Sequence, residues 1–233
     1  MSAIGRARET LGRPLLLAHR GAHDETIREN SLEALVAGAV QCDGVEFDVR
    51  FSADGTAVIV HDATLNRIFN LPRQVRELTS RELMEIGVPT LASALAAMPA
   101  LTLIDLELKE APTDDLFTTL HAARGPGAQG VVISSFDPGI LYAVEKRMPG
   151  WARWLNAETL EAADRAAELS CGGVSVSIDL LSDEHTDRWV SRGLEVAGWT
   201  VRDRTDAEVA RDARLVALCV EGDGIRAAEA LTR

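Results

Sequence analysis

Short apolar runs punctuate the whole chain, at Leu15–Ala18, Val45–Val49, Ala57–Val60, Leu101–Leu108, Val131–Ile133, Trp151–Leu155, Val174–Ile178, Leu194–Val201 and Leu215–Val220. Each has strand length. Between most of them, apolar residues recur at three- and four-residue spacing, as in Leu32, Leu35, Val36 and Ala39, or Ile140, Leu141, Val144 and Met148, which predicts helices. Strands alternating with helices predict parallel pairing through right-handed crossovers, because a parallel return needs a dozen or more residues.

One pair breaks the rhythm. The linker between Val49 and Ala57 is too short for a crossover and contains Asp54-Gly55, a strong hairpin turn. Ala57–Val60 is therefore expected to return antiparallel, as an accessory strand after the second barrel strand. Removing it leaves eight parallel candidates, the number a closed (β/α)8 TIM barrel of the α/β class needs. The longest stretch without a strand, Asn66 to Ala100, carries helix signals at Thr79–Ile86 and Thr90–Met98. No proline-rich or Gly/Ser-rich linker divides the chain, so residues 1–233 read as a single domain.

Composition narrows the class further. With 233 residues, 46% hydrophobic and 26% charged, the chain is globular rather than disordered and long enough to bury a sizeable core without staples. Its 36 acidic and 24 basic side chains give a net charge of −12, which argues against a nucleic-acid partner. Cys42, Cys171 and Cys219 are dispersed and odd in number, so they read as reduced core thiols. The N-terminus carries Arg6, Arg8 and Glu9, and its one apolar run, Leu15–Ala18, is too short for a signal segment or a membrane span. The expected compartment is the cytoplasm, without stable membrane insertion; nothing in the sequence fixes the oligomeric state.

In a barrel, catalytic side chains project from the C-terminal strand ends and the loops that follow. The polar residues here obey that placement. The first strand ends in His19-Arg20-Gly21, the second carries Glu46 and Asp48, the accessory strand ends at His61-Asp62, and the next holds Asp105, Glu107 and Lys109. Period-two alternation puts Glu46 and Asp48 on one face of their strand, and Asp105, Glu107 and Lys109 likewise on one face of theirs, so that carboxylates converge if that side is the barrel mouth. A lone carboxylate pair on a strand is more often a solvated or salt-bridged face. Three carboxylates aimed into one partly buried mouth cannot all stay ionised uncompensated, and a divalent cation resolves that conflict. An all-oxygen set favours Mg2+ or Ca2+.

His19 and His61 beside such a cluster suit proton transfer, one taking a proton from a nucleophile and the other giving one to a leaving alkoxide. Arg20 and Lys109 suit two compatible roles, as counter-ions of the carboxylates and as holders of an anionic phosphoryl group. Trp199 reads either as core or, at a strand end, as a wall of the pocket. Glu29-Asn30-Ser31 caps the helix that follows through Asn30 or Ser31, which leaves Glu29 and Asn30 at the mouth. His23, His121 and His185 have no convergent partners in the sequence and read as surface residues.

The pattern resembles the glycerophosphodiester phosphodiesterase family. The matching elements are His19-Arg20-Gly21, Glu29-Asn30-Ser31-Leu32-Glu33-Ala34, Asp43-Gly44-Val45-Glu46-Phe47-Asp48-Val49, Asp54-Gly55, Val60-His61-Asp62, Val88-Pro89-Thr90-Leu91, Leu106-Glu107-Leu108-Lys109, Ser134-Ser135-Phe136 and Trp199-Thr200-Val201. They span nearly the whole chain in the family's order. The resemblance implies a TIM barrel that hydrolyses small glycerophosphodiesters to an alcohol and glycerol 3-phosphate. It makes Glu46, Asp48 and Glu107 the ligands of one Mg2+ or Ca2+ ion, His19 and His61 the acid–base pair, and Arg20 and Lys109 the phosphate contacts; Trp199, read as a pocket wall, is the expected contact for the substrate's apolar part.

Departures from the family pattern cluster away from that set. Arg28 replaces a proline, Phe51-Ser52 a threonine, Arg202 an asparagine after Trp-Thr-Val, and Ile225 the proline near the end of the last strand. The segment between His61 and Glu107 is short, which trims the family's covering insertion. These differences bear on substrate preference rather than on reaction class. Two alternatives compete: a lysophospholipase D-like activity, for which no convincing apolar mouth or amphipathic segment is visible, and a non-catalytic barrel binding a phosphorylated metabolite, which would need neither histidine.

Overall fold

The computed structural model describes residues 1–212 and 214–232. The strands are β1 (Leu15–His19), β2 (Gly44–Phe51), β3 (Ala57–Ile59), β4 (Leu103–Leu108), β5 (Val131–Ser135), β6 (Ala152–Ala157), β7 (Gly173–Ser177), β8 (Glu195–Val201) and β9 (Ala217–Val220). Every apolar run becomes a strand, with shifted ends. Leu101, 90% exposed, lies ahead of β4. Conversely, β5 and β6 run on into Ser134, Ser135, Asn156 and Ala157, because ladder pairing with the neighbouring strand continues past the apolar stretch.

β1 pairs in parallel with both β2 and β9, and all successive barrel neighbours pair in parallel, so eight strands close on themselves. β3 lies outside that ring, antiparallel to β2 with Val49 opposite Ile59. The hairpin turns through Gly55 at φ 76°, a backbone region that residues with a Cβ rarely enter. Expected and observed architecture agree.

Alternation divides the strand residues into two sets. Phe47, Val49, Leu106, Ile133, Val174 and Leu218 face outward and join the large apolar layer under the helices, including Leu32–Gln41 and Pro138–Arg147. Leu15, Leu17, Val132, Trp154, Ala197 and Cys219 belong to a second cluster that fills the lower lumen. Above them the same inward rows turn polar, with Glu46, Asp48, Asp105, Glu107, Ser134, Asn156 and Ser175. The core is thus apolar below and ionisable at the mouth.

A helix at Ala3–Leu11, which the sequence reading did not anticipate, seals the lower end. Ser2 caps it by accepting the Gly5 amide, 3.0 Å away, and its Ile4 is fully buried in the lower-lumen cluster. The segment after β3 folds into short helices, Asn66–Phe69, Ser80–Ile86 and Leu91–Ala97. It carries a satellite core of Val58, Val60, Leu65, Val75, Leu78, Leu83 and Val88. Thr79 and Thr90 cap the last two helices, where the sequence signals placed their starts.

Ile4→Ala is expected to lower the unfolding free energy by about 2–5 kcal/mol, as for other fully buried isoleucines. Denaturant titration checks this, and a loss below about 1 kcal/mol would show that the helix does not plug the barrel.

Candidate active site

The mouth is built by backbone turns as much as by strands. After β1 the chain enters the left-handed region at Arg20 (φ 56°) and again at Gly21 (φ 80°). This turn aims the Arg20 backbone amide at Glu46 Oε2, to which it donates at 3.0 Å. Gly21 is required twice over, by its φ and because a Cβ there would stand 2.4 Å from the Ala34 backbone. Ser31 Oγ accepts the Ala34 amide and caps Leu32–Gln41. That frees Asn30, also left-handed, to donate its side-chain amide to Asp48 Oδ2 at 2.8 Å.

Barrel register brings the carboxylates together. His19 is paired with Glu46, Glu46 with Asp105, and Asp48 with Glu107. All of these carboxylates are buried. One oxygen from each of Glu46, Asp48 and Glu107 lies within 4.8 Å of the others. Oxygens gathered this closely from three buried carboxylates could hold a hard divalent cation.

Electrostatics shows the strain of that convergence. Burial first, then the charges of Asp48 and Glu107, push Glu46 well above the usual carboxylate range. Burial and Asp48 raise Glu107 to about 7. Asp105, deeper in the lumen, also rises to about 7, chiefly through burial, although Ser134 Oγ donates to it at 2.6 Å. Asp48 goes the other way. Burial alone would raise it, but Lys109 and Arg20, with help from His61 and Asn30, hold it at about 2. Lys109 Nζ lies 2.9 Å from Asp48 Oδ1 and also contacts Glu107, while Arg20 Nε lies 3.3 Å from Asp48 Oδ2.

The two candidate histidines flank the cluster. His19 Nε2 lies 3.9 Å from Glu46 Oε2, and its Nδ1 lies 2.6 Å from Glu221 Oε2. His61 Nδ1 lies 2.6 Å from Asp62 Oδ1. Burial pulls the His61 pKa down, against the opposing pull of Asp48 and Asp62. Arg67 ties this side together, bonding Asp62 through Nε and Glu29 through both terminal nitrogens, while Glu29 also accepts from Arg20.

A cavity of about 240 Å³ opens over these groups. His19, Arg20, Glu46, His61, Glu107, Lys109 and Trp199 all line it; Asp48 lies just behind, in contact with Lys109 and Arg20. Trp199 forms part of the wall, edge-on to Phe136 at 5.6 Å, with its indole N–H donated to the Ser175 carbonyl. The structure therefore brings every sequence-derived site residue to one place.

The sequence reading missed Glu221, Arg67 and the position of His23. His23 is not a partnerless surface residue: half-buried, its Nε2 lies 3.7 Å from Glu221 Oε2, and His19, His23 and Glu221 form a second group within 4.8 Å. His121 is exposed as expected, whereas His185 is half-buried with Nδ1 2.8 Å from the Leu180 carbonyl. One signal for Glu221 was present, since it directly follows the last strand.

The family model for the glycerophosphoryl diester phosphodiesterase family matches residues 19–222. The chain belongs to that family. It is accordingly a phosphoric diester hydrolase with the family TIM barrel, and the candidate active-site cavity opens at the C-terminal strand ends. Among relatives, it is 23% identical over 236 residues to glycerophosphodiester phosphodiesterase 1 of Bos taurus, covering 79% of this chain and 71% of that one. It is 26% identical over 241 residues to probable glycerophosphodiester phosphodiesterase 1 of Mycobacterium tuberculosis, covering 86% of each. The fold is shared with the Thermotoga maritima glycerophosphodiester phosphodiesterase, at TM-score 0.77, 24% identity, and coverage of 94% of this chain and 98% of the other. It is shared also with an Oleispira antarctica phosphodiesterase solved with the product sn-glycerol-3-phosphate, at TM-score 0.79, 22% identity, and coverage of 96% and 98%.

The raised carboxylates give this family barrel a distinctive pH response. Folded Glu107 and Asp105 keep a proton up to about pH 7, against ordinary values of 4.5 and 3.8. Between those limits the folded chain binds more protons than the unfolded one, so stability falls as pH rises. Metal-free protein is expected to melt lower at about pH 8 than at about pH 5. Saturating Mg2+ or Ca2+ should raise the melting temperature more at the higher pH. A metal-free profile that rises over this range would contradict the assignment.

Proposed function

We propose that this barrel hydrolyses glycerophosphodiesters to an alcohol and glycerol 3-phosphate, using one divalent cation and the His19–His61 pair. The observation that carries the reading is the convergence of Glu46, Asp48 and Glu107 within 4.8 Å, with an imidazole beside the cluster on each flank. The donor set fits a hard ion, since all three ligands are oxygens and two of them are otherwise pushed towards protonation. Mg2+ or Ca2+ bound there would polarise the phosphoryl oxygen and offset the charge that builds on it.

The chain's own groups do the rest. Arg20 and Lys109 both line the cavity, so two positive charges stand at its wall to hold a phosphoryl group while they also pair with Asp48. The two histidines face the same cavity, so one can take a proton from the attacking hydroxyl while the other protonates the leaving alkoxide. Trp199 and Phe136 offer an apolar wall to the carbon atoms of the substrate. The glycerol 3-phosphate bound to the Oleispira antarctica phosphodiesterase supports the product named here.

No described helix is long and apolar enough to cross a membrane. The three free cysteines, two of them buried, accord with a reducing, cytoplasmic setting. A short match, 39% identical over 69 residues, to mouse lysophospholipase D GDPD3 keeps lysophospholipids as the second substrate class to assay. Among the described residues, Phe136 is the one large exposed apolar side chain of the cavity wall, which favours the small diester.

Glycerol 3-phosphate release from glycerophosphocholine is expected with Mg2+ or Ca2+ and is abolished by chelation. His61→Ala should lower kcat by roughly 10²–10⁴, and Glu46→Gln should fold but lose its response to metal. Absence of release from any glycerophosphodiester with Mg2+, Ca2+ or Mn2+ would overturn the proposal.

A further inference from the structure

Glu221 belongs to no motif, yet it touches three cationic or ionisable side chains. It follows β9 directly, and because β9 pairs in parallel with β1, with Val220 opposite Ala18, it stands beside His19. Its backbone is fixed by donation to the Val201 carbonyl at 3.0 Å. Its two oxygens are separately committed: Oε2 lies 2.6 Å from His19 Nδ1, and Oε1 accepts from Arg202 Nε at 2.7 Å. His23 Nε2 also lies 3.7 Å from Oε2, and Glu46 Oε2 lies 3.9 Å from the other ring nitrogen of His19, Nε2.

We propose that Glu221, oriented by Arg202, is a positioning residue that fixes the tautomer and ring orientation of His19. The inference rests on the proton-transfer role proposed above for His19. A carboxylate can only accept, so the short contact puts the ring proton on Nδ1. The lone pair of the neutral ring is then at Nε2, the nitrogen on the Glu46 side. In either direction of transfer, Nε2 alone exchanges a proton with the substrate, Nδ1 keeps its own, and Glu221 stays ionised beside the imidazolium. Arg202, one of the departures from the family pattern, has a defined task in this arrangement: it claims one oxygen and leaves the other for the imidazole.

That task makes Glu221→Gln diagnostic. Arg202 would capture the amide oxygen, the amide nitrogen would face His19, and His19 Nδ1 would have to accept. The ring proton would move to Nε2, where it blocks base function and presents the wrong partner to the substrate. A purely structural carboxylate, by contrast, tolerates an isosteric amide that keeps both contacts.

The test combines kinetics with ¹⁵N NMR of the histidine rings at mildly alkaline pH. Glu221→Gln is expected to lower kcat for glycerophosphocholine by roughly 10²-fold or more with KM within about threefold. In Glu221→Gln/Arg202→Ala the amide is free to flip, and kcat should recover roughly tenfold over the single variant. The spectra should show His19 protonated at Nδ1 in the wild type and at Nε2 in Glu221→Gln. A folded Glu221→Gln with kcat within about threefold of wild type, or wild-type His19 protonated at Nε2, would overturn the proposal. The wild-type tautomer is read without substrate, so it decides the matter even if the Gln variant fails to fold. Failure of the wild type to release glycerol 3-phosphate would instead count against the proposed activity.

Discussion

Like charges forced together in a closed barrel mouth are the constraint on which the rest of this structure turns. Glu46 and Asp48 share one face of β2, and their register partners Asp105 and Glu107 share the facing row of β4. The barrel cannot relax them apart without breaking the ladder. Burial and mutual repulsion therefore have to be offset locally, and the chain supplies Lys109, Arg20, the Arg20 backbone amide and the Asn30 side chain for this. The offset is uneven. Asp48 receives most of it and is held at about 2, while Glu107 is left at about 7 and Glu46 well above its usual range. A cation among their oxygens would complete the balance.

The surroundings divide labour between rigidity and reactivity. The lower lumen is packed with Leu15, Leu17, Val132 and Trp154 and sealed by Ile4, so the strands that carry the carboxylates have little freedom to shift. Above, each histidine is backed by a carboxylate that is itself held by an arginine: His19 by Glu221 and Arg202, His61 by Asp62 and Arg67. The second chain continues through Glu29 to Arg20 and so returns to Asp48. One connected network thus reaches from the acid–base candidates to the metal-binding candidates. Repacking any member disturbs the orientation of the others, which is why single substitutions here should act on activity more than on folding.

Most of this was legible in the sequence for identifiable reasons. Nine apolar runs became nine strands because strand interiors of a barrel are buried on both faces, and Asp54-Gly55 marked the one antiparallel return. Period two sufficed to put Glu46 with Asp48 and Asp105 with Glu107, and placement after strands singled out His19 and His61. Contacts that exist only through closure were not legible. Glu221 lies 202 residues from His19 in the chain and meets it because β9 closes against β1. His23 was passed over for the same reason, and the Ala3–Leu11 helix because its charged residues masked the single buried face that includes Ile4.

The central claim concerns where a cation sits, and anomalous scattering from crystals grown with Mn2+ tests it most directly. The account expects one peak bounded by oxygens of Glu46, Asp48 and Glu107, lost in Asp48→Asn crystals. No peak at the mouth, or a peak bound elsewhere with those three carboxylates turned away from it, would contradict it.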